Sequence, residues 1–271
     1  MEKGVSLERA LEIATQLSMQ RTPEVLPLDQ ASGRILFDDL SSHVDDPRFD
    51  NSAMDGWAVR EADCKESETV LRIVGTSQAG SAEVPPVGKG EACSIMTGAP
   101  IPEGADAIVM VEESTAHGGS VTINGPARPG FIRRRGENLT KGERPLKSGN
   151  LLTPSAISLA ATMGHDMVSV VRQPSIAVIG VGDELTPPGE PLSENSIYES
   201  NTFGISSLVK KMGGIPRRHA LIRDSIDDLR EALDGAAESC DAIITSGGVS
   251  MGKWDIVRQI MEEEGDIKFW R

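Results

Sequence analysis

The sequence predicts an α/β multi-domain chain: a discontinuous helical domain with an inserted all-β domain, followed by a parallel-sheet α/β domain. Three observations predict it. Residues 174–255 read strand, acidic turn, helix, strand, acidic turn, helix, strand, glycine-rich turn, helix, the alternation that builds a parallel sheet. Residues 57–137 carry short β-rich runs punctuated by Gly and Pro, with no useful helix-period segment between them. Helix-period segments flank that β region on both sides. The expected domains are 1–45 plus 139–173 (helical, linking), 46–138 (inserted β) and 174–271 (α/β).

A chain of 271 residues is long enough for two or three such domains. Aromatic residues are only 3%, so its cores must be built from aliphatic side chains and Met. The net charge of -14 argues against nonspecific nucleic-acid binding, which needs Lys and Arg facing phosphate. It leaves room for an anionic small molecule held by local donors or a metal. Cys64, Cys93 and Cys240 are far apart and form no metal-ligand spacing, so neither a zinc site nor a disulfide framework is expected. No apolar run is long enough to cross a membrane and no signal peptide is read, which makes cytoplasm the expected compartment.

Taken in order, Ser6 is placed to cap an amphipathic helix with Leu7, Ala10, Leu11, Ala14 and Leu17 on one face, ended by Pro23. Residues 45–56 are polar and broken by Pro, Asn and Gly, so they form a loop. It holds four carboxylates (Asp45, Asp46, Asp50, Asp55), either a solvated surface or a site for a cation or phosphate. Strands are expected over 70–74, 92–96, 107–111 and 121–123, with a proline-stiffened loop at 96–106. Arg133, Arg134 and Arg135 close the β region; successive strand residues face opposite ways, so they cannot share one ligand. Thr153 caps a second helix with Pro154 in its first position, expected to return onto the first.

In the last domain, strands are expected over 175–181, 218–222 and 241–245, and helices from Thr202, from Ile226 behind Ser225, and after Asp255. The turns after the strands hold Gly182-Asp183-Glu184, Arg223-Asp224 and Ser246-Gly247-Gly248-Val249-Ser250. In an open parallel sheet all three lie on the ligand-binding edge. Glycines there let backbone N–H groups approach an anion. Asp183, Glu184, Asp224 and Asp255 beside them make sense if Mg²⁺ bridges carboxylate to phosphate. Acidic caps on a bland sheet are the competing explanation.

Five stretches in one order carry a resemblance: residues 50–56, 96–100, 182–185, Ser200-Asn201 and 246–250. Together they resemble the molybdopterin molybdenumtransferase family (MoeA and the gephyrin E domain), over nearly the whole chain. The resemblance implies a last domain like the molybdopterin adenylyltransferases, a homodimer, and such an adenylyltransferase as partner. It implies molybdenum cofactor biosynthesis: molybdenum passes from molybdate to adenylylated molybdopterin and AMP leaves, with Mg²⁺. On this reading Asp55, Thr97, Glu184, Asp224 and Asp255 are catalytic. Gly182, Asp183, Ser200, Asn201, Ser246, Gly247, Gly248 and Ser250 hold the pterin and phosphate, and Asp183, Asp224 and Asp255 the metal. Asp55 and Thr97 are expected to complete the cleft from the partner subunit.

Three departures accompany the resemblance. Asn138 stands where the family often has Asp, and Gly180-Val181 where hydroxyl residues are usual. The chain stops at Phe269-Trp270-Arg271, where family members continue with a KPG-type loop and a C-terminal β domain, so the sheet domain is expected to be incomplete. Two alternatives stay open: a noncatalytic scaffold that keeps the fold and dimer interface, and a nucleotide hydrolase on the same sheet.

Overall fold

The computed structural model describes residues 2–17, 21–66, 68–81, 83–223, 225–247 and 256–270, the last without its side chain. The chain forms two compact units, residues 1–24 with 169–271, and residues 25–168. The first opens with helix α1 (Leu7–Gln16), whose Ser6 hydroxyl accepts from the Arg9 N–H at 3.2 Å. Its inward residue is Ile13; Leu7, Leu11 and Leu17, read from the sequence as the buried face, are exposed. The helix closes at Gln16, with the Leu17 N–H on the Ala14 carbonyl, well before Pro23.

The unit of residues 25–168 is built on a six-stranded sheet: β1 (Gly56–Val59), β2 (Thr69–Ser77), β3 (Glu91–Ile95), β4 (Ala107–Met110), β5 (Ser114–His117) and β6 (Ser120–Ile123). Their order is β4-β1-β3-β2-β6-β5, antiparallel throughout except the parallel pair β2 and β3. Side chains alternate between the faces. Trp57, Val59, Leu71, Val109, Val121 and Ile123 form one cluster; Ala58, Cys93, Ile95 and Ile108 join Val87 and Ile132 in another. β1 was not foreseen, because its Gly56-Trp57 start merges with the polar loop before it. Helix α2 (Pro154–Thr162) begins as expected, the Thr153 hydroxyl accepting from the Ala156 N–H at 3.2 Å.

The other unit carries the parallel sheet, β7 (Ser175–Gly180), β8 (Ile215–Arg218) and β9 (Ala242–Ser246), in the order β8-β7-β9. Strand β8 lies earlier than the expected 218–222. Pro216 argues against a central strand, but β8 is an edge, where a missing N–H costs nothing. Beyond it the His219 N–H still reaches the Val178 carbonyl at 3.0 Å, and Ile222 bridges Val181. Helices α3 (Asn201–Lys211), α4 (Ile226–Ser239) and α5 (Ile256–Glu264) sandwich the sheet. Ala177, Ile179 and Val181 pack on Leu229, Leu233 and Ala236 of α4 and on Ile256, Val257 and Ile260 of α5. On the opposite face, a Cβ on Gly180 would come within 3.1 Å of Thr202 in α3.

One clamp sets the sheet's register. The Asp241 carboxylate accepts from Arg172 Nη2 at 2.5 Å and Nη1 at 2.9 Å, and from the Ser175 N–H at 2.7 Å. The Asp241 N–H returns to the Ser175 carbonyl at 2.7 Å. β7 and β9 therefore start from one ion-paired point, which holds the Asp241 carboxyl below the usual range.

Candidate functional site

Each unit brings some of the expected site residues together. In residues 25–168 the acidic loop docks on the proline-stiffened one. The Ser52 N–H donates to the Ala99 carbonyl at 3.0 Å, and the Gly98 N–H to the Ser52 carbonyl at 2.8 Å. The Ile101 N–H donates to the Asp50 carbonyl at 3.0 Å. Ser52 is fully buried, its hydroxyl on the Met54 carbonyl at 2.6 Å, which ties the turn ahead of Asp55. The Asp55 carboxylate then meets Thr97, accepting from its N–H at 2.6 Å and its hydroxyl at 2.9 Å. The backbone bond first, and the hydroxyl second, hold the Asp55 carboxyl below the ordinary range. Asp55 is thus an anion oriented by two donors, a poor proton donor at neutral pH and a good acceptor.

The loop's other carboxylates are spent on structure. Asp45 accepts from the Lys141 N–H at 2.7 Å and from Arg135 Nε at 2.5 Å. Asp50 takes Arg134 Nη1 at 2.6 Å and the Arg135 N–H at 2.8 Å. Asp46 takes the Asn138 side-chain amide at 2.9 Å, a contact that a carboxylate at 138 would turn into repulsion. Arg133 pairs with Glu137. The three arginines thus go to three different carboxylates, in line with the sequence expectation that they do not share a ligand.

In the parallel-sheet unit, the carboxyl ends of β7 and β9 carry the second constellation. Gly180 and Ser246 are register partners, and the Val181 N–H donates to the Ser246 carbonyl at 2.9 Å. The Asn201 side-chain amide, at the start of α3, donates to the Ser246 hydroxyl at 2.9 Å. Gly247 has φ +93° and lies so close that a Cβ there would stand 2.1 Å from the Val181 carbonyl oxygen. Gly182 is held at the same edge by its N–H on the Ile222 carbonyl at 3.1 Å. A side chain on it would strike the Glu184 carboxylate at 2.5 Å. Asp183 and Glu184 are exposed beside these glycines. Ser200 occupies the N-cap of α3 without a side-chain capping bond.

Sequence reasoning missed Glu199. Its buried carboxylate accepts from both the N–H and the hydroxyl of Thr202, each at 2.6 Å, and so fixes the first turn of α3 and with it Asn201. The available signal was a Glu three residues before a Thr at a helix start, a reversed form of the usual capping pair. Asp224, Gly248, Ser250 and Asp255 lie outside the described residues. Among the described residues no group of three or more His, Cys, Asp or Glu is arranged to hold a metal. The donors present at this edge are all oxygen (Asp183, Glu184, Ser246), the type that Mg²⁺ takes and that Zn²⁺ or Cu²⁺ does not require. Cys64 is no nucleophile: burial, then Asp63 and Asp106, push its thiol up to about 11.

Residues 5–164 match the family described as MoeA N-terminal region (domain I and II), and residues 177–271 the family described as probable molybdopterin binding domain. A molybdopterin molybdenumtransferase of Haemophilus influenzae is 38% identical over 258 residues, 94% of this chain and 64% of its own length. Molybdopterin molybdenumtransferase 2 of Mycobacterium tuberculosis is 36% identical over 93% of this chain and 64% of its own. The chain thus spans somewhat under two thirds of these curated relatives. The crystal structure of the molybdopterin biosynthesis MoeA protein of Pyrococcus horikosii superposes with a TM-score of 0.83 at 33% identity, over 97% of this chain and 68% of that one.

Proposed function

Because the chain belongs to the MoeA family of molybdopterin molybdenumtransferases, we propose that it acts in molybdenum cofactor biosynthesis, moving molybdenum from molybdate onto adenylylated molybdopterin with release of AMP. The observation that carries this reading is the edge formed by Ser246, Gly247, Gly182 and Asn201. It is a backbone surface kept bare by two glycines, of which Gly247 leaves no room for a Cβ, inside the segment matching a molybdopterin binding domain. N–H groups of such a surface receive a phosphate, and the Asn201–Ser246 pair fixes its lateral position. Asp183 would hold Mg²⁺ together with Asp224 and Asp255. The ion, when bound, supplies neutralisation of the phosphoanhydride. Glu184 orients water toward the phosphate. Asp55, kept ionised by Thr97 and on this reading contributed by the second subunit of the homodimer, accepts a hydrogen bond from the pterin or its thiols. The reading includes a homodimer and a molybdopterin adenylyltransferase as supplier of the substrate.

The test is conversion of adenylylated molybdopterin and molybdate by the purified protein, followed as AMP release. Asp55→Ala and Asn201→Ala are expected to lower turnover by about 10²-fold or more, the scale of a lost positioning group. Wild-type turnover in all of Asp55→Ala, Asn201→Ala and Glu184→Ala would sink the assignment. A noncatalytic scaffold is the second reading. It is favoured by Val181, whose buried aliphatic side chain brings no hydroxyl to the turn. A folded protein with no affinity for molybdopterin would favour it over the enzyme.

A further inference from the structure

We propose that the cleft between residues 43–48 and 135–141 binds a small free tetrahedral oxyanion, independently of the function argued above. The cleft encloses about 280 Å³ and is lined by His43, Val44, Asp45, Arg48, Arg135 and Lys141. Three cations face one carboxylate, in a chain with 41 acidic and 27 basic side chains. Asp45 is committed to Arg135 and to the Lys141 N–H. Among the described residues neither the Arg48 guanidinium nor the Lys141 ammonium makes an ion pair. The Lys141 ammonium lies near enough to Asp45 to help lower its carboxyl, but with three cations against one carboxylate the wall keeps an excess of positive charge.

The cations stand on a fixed frame. Asp46 and Leu139 exchange N–H to carbonyl bonds at 2.7 and 3.1 Å. The Gly136 N–H donates to the Pro47 carbonyl at 2.9 Å, and the Gly142 N–H to the Ser42 carbonyl at 2.8 Å. Behind the cleft the His43 ring packs on His165 with centroids 4.2 Å apart, its Nδ1 3.3 Å from the Gly164 carbonyl. A frame so tied fixes the backbone beneath the charges before a ligand arrives, so that only the exposed Arg48 and Lys141 side chains are left to be ordered at binding. A guanidinium fork beside an ammonium matches the oxygens of sulfate, phosphate or molybdate. Val44 is the one aliphatic lining residue, so the cleft offers little apolar wall for a base and suits a bare oxyanion better than a nucleotide.

The test is calorimetric titration of the purified protein with sodium sulfate and sodium molybdate at low ionic strength, with sodium chloride as control. Adenosine monophosphate forms a parallel arm. Wild type is expected to bind sulfate and molybdate and not chloride. The double variant Arg48→Gln/Lys141→Gln is expected to bind about tenfold or more weakly with an unchanged melting temperature, as befits two exposed side chains. Lys141→Gln alone serves if the double variant does not fold. Absence of binding, binding unchanged in the variants, equal heat from chloride, or adenosine monophosphate binding about tenfold tighter than sulfate would each overturn the proposal.

Discussion

A Cβ on Gly56 would stand 1.9 Å from the Val109 carbonyl oxygen, at the first register pair of β1 with β4. No rotamer relieves that contact, because the obstacle is backbone. Gly98 is the opposite case: nothing lies within 4 Å, but its φ is +80°. Gly56→Ala is therefore expected to lower the unfolding free energy by about 3 kcal/mol or more, and Gly98→Ala by about 1 kcal/mol. Urea denaturation of the two variants checks the order; equal losses would show that β1 can shift. Both glycines sit in motifs that the sequence displays openly. What it does not display is why each is glycine, since Val109 lies 53 residues from Gly56. The same holds for Asp55 and Thr97, each recognisable alone. Their shared hydrogen bonds span 42 residues and depend on two loops docking.

At the scale of elements, helix starts were the most legible feature. Ser6, Thr153 and Ser225 each accept the N–H three residues on, as their positions suggest. Such a cap is a local contact, decided within one turn. Ser225→Ala should cost about 1 kcal/mol, and Leu229→Ala, one turn further at a fully buried site, about 2–5 kcal/mol. Chemical denaturation of both variants measures the pair, and a cap loss as large as the core loss would mean that α4 depends on its first turn more than on its packing. Less legible was which face of a helix is covered. Periodicity gives an apolar face for α1, but cover comes from elsewhere in the chain, and only Ile13 receives it. Strand β8 was misplaced for a related reason. Whether Pro216 is tolerated depends on its being at an edge, a property of the sheet and not of the segment.

For the whole molecule the charge balance makes a prediction about acid. Asp39, Asp45, Asp50, Asp55, Glu113 and Asp241 all have carboxyls held below their ordinary values by hydrogen bonds and cationic neighbours. A depressed folded-state pKa adds stability that is present above the unfolded value, near 4, and is lost as pH falls through the folded one. The melting temperature is thus expected to stay nearly flat between about pH 8 and 5, then drop steadily below about pH 4. These groups are largely exposed, so salt should shrink the effect. A decline that begins near pH 6 would point to histidines instead, and calorimetry across pH decides between them. The composition announced the excess of acid; it could not say that so many carboxylates are tied to fixed donors, because five of the six accept from a backbone N–H that only the fold brings to them.

The clamp of Arg172 on Asp241 has a further consequence. β7 and β9 leave one anchored origin and run side by side to Gly180 and Ser246. A slip of one residue in either would turn its inward side chains outward. Everything at the far edge is therefore measured from a datum about five residues, or roughly 17 Å, away. The turns at that edge are like pointers on a ruler whose zero is soldered. They can be lengthened, shortened or rewritten without moving the scale, and new chemistry can be tried at the tip while the graduation stays true.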